Sequence, residues 1–167
     1  MTAIWKPFAA GLSLFALAAC GGGEDAAPGG DAAANIDPAL LEIVETRHET
    51  MEEIGDSFKT IRDELKAGDP DIEAIQTAAA YIEEQSTKVG DWFPEGTSPA
   101  DGVDTDALAT IWERPDDFDA AVAQFETAAA SLNAAAQSGD MSALGGAVQE
   151  TGGACKNCHD DFRADDD

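Results

Sequence analysis

Apolar residues recur at spacings of three and four along four stretches of the chain, and this period predicts four amphipathic helices. The first stretch covers about residues 37–67, with Asp37 placed to cap the helix. The second begins after Pro70, the third covers about residues 115–138 and the fourth about residues 141–163. No stretch shows sustained alternation of apolar and polar residues, so the pattern predicts no sheet.

These segments predict an all-α fold, an antiparallel four-helix bundle. The one long connection, about residues 90–106, lies between the second and third helices, and its Trp92 and Phe93 are expected to pack back on the domain. The apolar faces are rich in alanine, so the core is poor in large side chains. Such a core leaves room for a buried cofactor.

The first helix has one distinct face. Five of its residues fall within a narrow arc when each step is turned by about 100°: Leu40, Val44, Met51, Gly55 and Phe58. Met51 lies at the centre of this arc, and Arg47 and His48 flank it on opposite sides.

The charge balance excludes some partners. The 167 residues carry 34 acidic and 9 basic side chains, a formal net charge of −25. This charge argues against direct binding of nucleic acid and against a polybasic contact with anionic lipid.

The N-terminal segment is expected to be processed. Residues 1–19 have one lysine and an apolar run too short to span a bilayer comfortably, which predicts a signal peptide. Their last residues and Cys20 resemble the lipobox of bacterial lipoproteins, which implies cleavage before Cys20 and acylation of that residue. An ordinary signal peptide followed by a chance cysteine is the alternative. Residues 20–35 then form a lipidated flexible tether, and residues 36–167 the folded domain.

Chemistry concentrates near the C-terminus, where Cys155, Cys158 and His159 form a C-x-x-C-H motif. This motif is typical of covalent haem c attachment, because two thiols one helical turn apart can bond the two vinyl groups and the next histidine can bind the iron. A thioredoxin-like redox pair lacks its strand-helix setting. A zinc site lacks ligands, and a disulfide between the two cysteines leaves His159 without a role.

Over roughly residues 36–164 the sequence resembles the class II c-type cytochromes, the cytochrome c′ family. The segments that carry the resemblance are Ile111-Trp112, the helix start at 115–118, Gly139-Asp140, the haem motif within 152–163 and the loop at 92–97. The resemblance implies a four-helix bundle with one haem c attached to the last helix. It also aligns Arg47 with an arginine near the haem propionates, although a solvated surface arginine is the alternative.

The family resemblance also identifies the distal side of the iron. Its distal position falls four residues after the arginine, at Met51. Many cytochromes c′ have an apolar residue there and a five-coordinate iron, whereas the low-spin branch has a methionine that binds the iron. We therefore predict His159 and Met51 as axial ligands. His48 as the distal ligand, an open iron, and Met51 as a core filler are the alternatives.

The predicted function is single-electron transfer by a periplasmic c-type cytochrome tethered to the membrane, with no catalytic turnover. The acidic surface predicts a redox partner with a basic docking face. Binding of NO or CO at a five-coordinate haem is the main alternative, and a peroxidase that uses His48 as its distal base is a more remote one. The family also implies a homodimer through the first two helices. Against it stand five glutamates on the first helix: Glu42, Glu45, Glu49, Glu52 and Glu53.

Overall fold

A computed structural model describes residues 36–165 of the chain, so the predicted signal peptide, Cys20 and the tether lie outside the described residues. The fold consists of helices joined by turns, and no strand occurs within the described range. The helices are α1 (Pro38–Glu64), α2 (Ile72–Ser86), the short α3 (Thr110–Glu113), α4 (Pro115–Ser138) and α5 (Met141–Phe162). The all-α four-helix bundle predicted from the sequence is confirmed, with α3 as a single additional turn.

Local chemistry sets the helix ends. The Asp37 carboxylate accepts a hydrogen bond from the Ala39 amide at 2.9 Å, and Asp71 and Asp140 cap α2 and α5 in the same way. Gly139 ends α4 with a φ of 71°, a left-handed conformation that glycine adopts without a steric penalty.

Helix packing leaves an opening between the first and last helices. Within the described chain α1 packs on α2, α2 on α4 and α4 on α5, but no comparable contact joins α1 to α5. The two meet where the Phe58 ring approaches Gly152, at which a Cβ atom would lie 3.5 Å from the ring. From this point towards the start of α1 and the end of α5, both helices line a cavity.

The core therefore has two halves. The closed half contains the largest fully buried apolar side chains, and none of them lines the cavity: Ile61, Ile75, Ile82, Leu132 and Leu144. The open half surrounds the cavity and includes Ile54, Phe118 and Phe125. It lies at the end of the bundle where α1 and α4 begin and α5 ends.

Three details differ from the sequence prediction. Helix α1 ends at Glu64 rather than near Ala67. Ile72 fits the three- and four-residue apolar period of the second helix but is 39% exposed, because it lies in the first turn of α2 at the margin of the bundle. The long connection contains two 3₁₀ turns, Val89–Trp92 and Pro99–Asp101, which give it local order. No helix of the described part is long and apolar enough to cross a membrane.

Candidate functional site

The cavity between α1 and α5 has a volume of about 800 Å³. This is in the upper part of the ~300–1,000 Å³ range of sites for cofactors and small molecules. Its walls come from α1, α4, α5 and the connection before α3. They bring together the five residues that the sequence predicts for the haem site: Arg47, Met51, Cys155, Cys158 and His159.

The two motif cysteines lie one turn apart on α5, half-buried in the cavity wall. Both are free thiols, so the disulfide alternative is not present. Burial raises the pKa of the Cys155 thiol. Burial, followed by the nearby Cys155 and Asp161, raises the pKa of Cys158 to about 11. Both sulfurs are therefore neutral thiols at physiological pH.

His159 follows directly on the same helix and also lines the cavity. The connection before α3 and the first residue of α3 fasten the chain just beyond this residue. The Thr110 hydroxyl donates to the Asp161 carbonyl at 2.8 Å, and the Leu108 amide donates to the Phe162 carbonyl at 2.9 Å. The Ala164 amide donates to the Asp106 carbonyl at 2.8 Å. These bonds fix the end of α5 and therefore limit movement of the His159 backbone.

Two α1 residues were candidates for the distal iron ligand. Met51 is half-buried and lines the cavity. His48 also borders it, but its side chain is 66% exposed and its Nε2 lies 3.7 Å from a Glu52 carboxylate oxygen. The histidine is thus at the rim of the cavity and the methionine is in its wall.

Arg47 is buried, with only 4% of its surface exposed. Its Nη1 donates to the Trp92 carbonyl at 3.2 Å and its Nη2 to the Thr105 hydroxyl at 2.8 Å. Its guanidinium carbon lies 4.6 Å from the centre of the Phe93 ring. Among residues 36–165 no carboxylate forms an ion pair with it, and burial lowers the pKa of its guanidinium. The surface-arginine alternative is therefore wrong for this residue.

Sequence reasoning missed the partners of Arg47. They belong to the long connection, 45 and 58 residues away in the chain, and a backbone carbonyl and a loop threonine carry no motif. Only the apolar pair Trp92 and Phe93 indicated that this connection folds back on the domain.

These residues fit a covalently held haem. The cavity has the required size, and two thiols one turn apart and an adjacent imidazole lie on one wall, with a thioether on α1. The buried guanidinium without a carboxylate partner suits an anionic group in the cavity. By contrast, no group of three or more His, Cys, Asp or Glu side chains that could hold a metal ion occurs within the described range.

Comparison with known proteins agrees with this chemistry. Residues 42–163 match the family model described as Cytochrome C'. A cytochrome c′ from Thermochromatium tepidum is similar at 27% identity, covering 75% of this chain and 97% of that one, with a TM-score of 0.70. A cytochrome c prime from Shewanella frigidimarina shares 32% identity, covering 77% and 99%, with a TM-score of 0.69. No curated protein matches the chain.

Two further solved structures bear on ligands and assembly. A nitric oxide complex of a variant cytochrome c prime from Alcaligenes xylosoxidans is 25% identical, covering 76% of this chain and 97% of that one, with a TM-score of 0.68. A cytochrome c′ whose dimer dissociation is ligand-controlled is also 25% identical, covering 75% and 97%, with a TM-score of 0.70.

The chain belongs to the cytochrome c′ family, the class II c-type cytochromes. Its cofactor is therefore one covalently attached haem c, and its compartment is the periplasm, as for the family.

Proposed function

We propose that this protein transfers single electrons through a haem c bound to Cys155 and Cys158, with His159 and Met51 as axial ligands. The observation that carries the proposal is that Met51 lines the same cavity as the C-x-x-C-H motif. The haem supplies the one-electron redox chemistry. With both His159 and Met51 bound, the iron would keep the same coordination number in both oxidation states, which would keep the reorganisation small, and the soft thioether would favour the ferrous state.

Arg47 contributes a buried positive charge to the site. We propose that it pairs with the haem propionates, since it is buried against the cavity and its three remaining N–H donors are available. A charge-assisted pair of this kind offsets the cost of burying the guanidinium. We propose that the protein is not an enzyme, since the contact between His48 and Glu52 lies at the exposed rim of the cavity.

Gas binding is the second candidate function, and the comparisons favour it over electron transfer. The relative from Alcaligenes xylosoxidans is a nitric oxide complex. If Met51 does not bind the iron, its side chain only packs in the wall of the cavity, and the distal position of the iron is open to NO or CO. The identity of residue 51 favours the first function, and the relatives favour the second.

Optical and paramagnetic resonance spectra of the holoprotein distinguish the two functions. Electron transfer with His159 and Met51 predicts a low-spin ferric iron with a sulfur-to-iron charge-transfer band and slow CO uptake by the ferrous form. A high-spin ferric iron with ready CO uptake would establish the open site instead.

Replacement of the methionine tests the ligand directly. Met51→Leu conserves side-chain volume, at a cost of less than about 1.5 kcal/mol, and should convert the iron to high spin. Met141→Leu is the matched control, because Met141 is 38% exposed and does not line the cavity. If Met51→Leu leaves a low-spin iron, the sixth ligand is another residue, and His48 is the next candidate.

We further propose that an acylated Cys20 anchors the domain to the membrane through the tether at 20–35. Cys20→Ser should release the protein into the soluble periplasmic fraction, and retention on the membrane would contradict the anchor.

The net charge of −25 supports a redox partner with a basic face. Electron exchange with such a partner should slow as ionic strength rises.

Self-association is a separate question. The relative with a ligand-controlled dimer supports a homodimer. All five glutamates named above are exposed on α1, and their mutual repulsion opposes a dimer through that helix. We therefore expect any dimer to be strengthened by added salt, as measured by sedimentation.

A further inference from the structure

We infer that Thr105 is a positioning residue for the haem: it holds the Arg47 guanidinium against the cavity and thereby raises the reduction potential. This inference rests on the proposed pairing of Arg47 with the propionates. Thr105 lies in the connection before α3 and itself borders the cavity.

The contacts of Arg47 give Thr105 this role. Two hydrogen bonds hold the guanidinium, and Thr105 supplies the shorter one, at 2.8 Å from Nη2. The other acceptor is a backbone carbonyl, so Thr105 is the only side chain of the described residues that hydrogen-bonds to this cation. A buried charge with few acceptors is costly. Removing the threonine oxygen should therefore favour rotation of the guanidinium towards water.

Thr105 is itself held in place. Its hydroxyl oxygen also accepts a hydrogen bond from the Ala107 amide at 3.2 Å, which closes a tight turn. Ala107 then pairs with Arg163 in an isolated antiparallel bridge at the end of α5. The same short segment thus contacts α1 through Arg47 and the end of α5 just beyond His159. It connects the two walls of the cavity that face each other.

The electrostatic consequence has a definite sign. A fixed positive charge beside the haem disfavours the ferric state, which carries one more positive charge than the ferrous state. Arg47 held at the cavity therefore raises the reduction potential. A guanidinium that moves into water is screened and loses most of this effect.

The test is a double-mutant cycle on the holoprotein, with the reduction potential as the readout. Arg47→Gln should lower the potential. Thr105→Val, which keeps the side-chain shape but removes the hydroxyl, should lower it by a smaller amount. In the Arg47→Gln background, Thr105→Val should cause no further change, because the residue acts through Arg47.

Two variants separate positioning from a general structural effect. Thr105→Ser keeps the hydroxyl and should retain the potential of the parent protein. Thr97→Val is the matched control, since the Thr97 hydroxyl donates to the Pro94 carbonyl at 2.7 Å in the same connection and does not line the cavity. It should leave the potential unchanged even if it lowers thermal stability.

The outcomes also separate this inference from the proposed function. If Arg47→Gln lowers the potential and Thr105→Val does not, Arg47 keeps its role and the inference about Thr105 is wrong. An equal shift by Thr105→Val with and without Arg47 would also overturn it. If Arg47→Gln itself has no effect, the propionate pairing fails and the inference fails with it.

Discussion

Leu132→Ala tests the division of the core into a closed and an open half. Leu132 lies in the second half of α4, is 0% exposed and does not line the cavity. The substitution removes three carbons, at about 0.8 kcal/mol each for transfer alone. A fully buried leucine adds a cavity term, because its neighbours relax only in part, so the total loss should be about 3–4 kcal/mol.

The assay is urea unfolding of the holoprotein, followed by far-ultraviolet circular dichroism and by haem absorbance. Ile72→Ala is the control, since Ile72 is 39% exposed and its truncation should cost less than about 1 kcal/mol. The haem spectrum of the native Leu132→Ala protein should match that of the parent. A loss below about 1 kcal/mol, or a change of the iron's spin state, would refute the division of the core.

Three further predictions follow from individual contacts. Burial and a hydrogen bond to Glu53 raise the pKa of Tyr81, the chain's one tyrosine, to about 12. Because this folded-state pKa lies above the unfolded value near 10, the contribution of Tyr81 to stability should be complete below about pH 10 and be lost as the pH rises towards 12. In ultraviolet titration, Glu53→Gln should shift the ionisation of Tyr81 to lower pH. An unshifted titration curve would contradict the contact. Asp71→Ala should destabilise the protein by about 1 kcal/mol in urea unfolding, because it removes the α2 cap, and an unchanged midpoint would refute that role. Since the pKa of Cys158 is raised to about 11, its thiol in the folded haem-free chain should react with iodoacetamide much more slowly than free cysteine does at mildly alkaline pH. Equal reaction rates would show that this thiol is exposed to solvent.

The sequence predicts the bundle well because its information is local. Asp37 marks a helix start through its side-chain carboxylate and Gly139 a helix end through its left-handed backbone, and the three- and four-residue period selects the buried faces. The motif cysteines and His159 are neighbours on one helix, so their presence on one wall of the cavity also follows from local spacing.

The remainder of the site depends on contacts that no local pattern encodes. A helical wheel puts Arg47 and His48 on opposite sides of Met51, but the fold buries the first and leaves the second 66% exposed. The difference arises from the long connection, which covers only the Arg47 side of α1. Its course depends on tertiary packing of Phe93 and on the hydroxyl of Thr105.

The central claim is that a haem is bonded through Cys155 and Cys158 on α5. The most direct measurement is the mass of the proteolytic peptide that contains residues 155–159, isolated from the exported protein. We predict that this peptide carries the added mass of one haem and absorbs visible light. A colourless peptide with two unmodified cysteines would contradict the account.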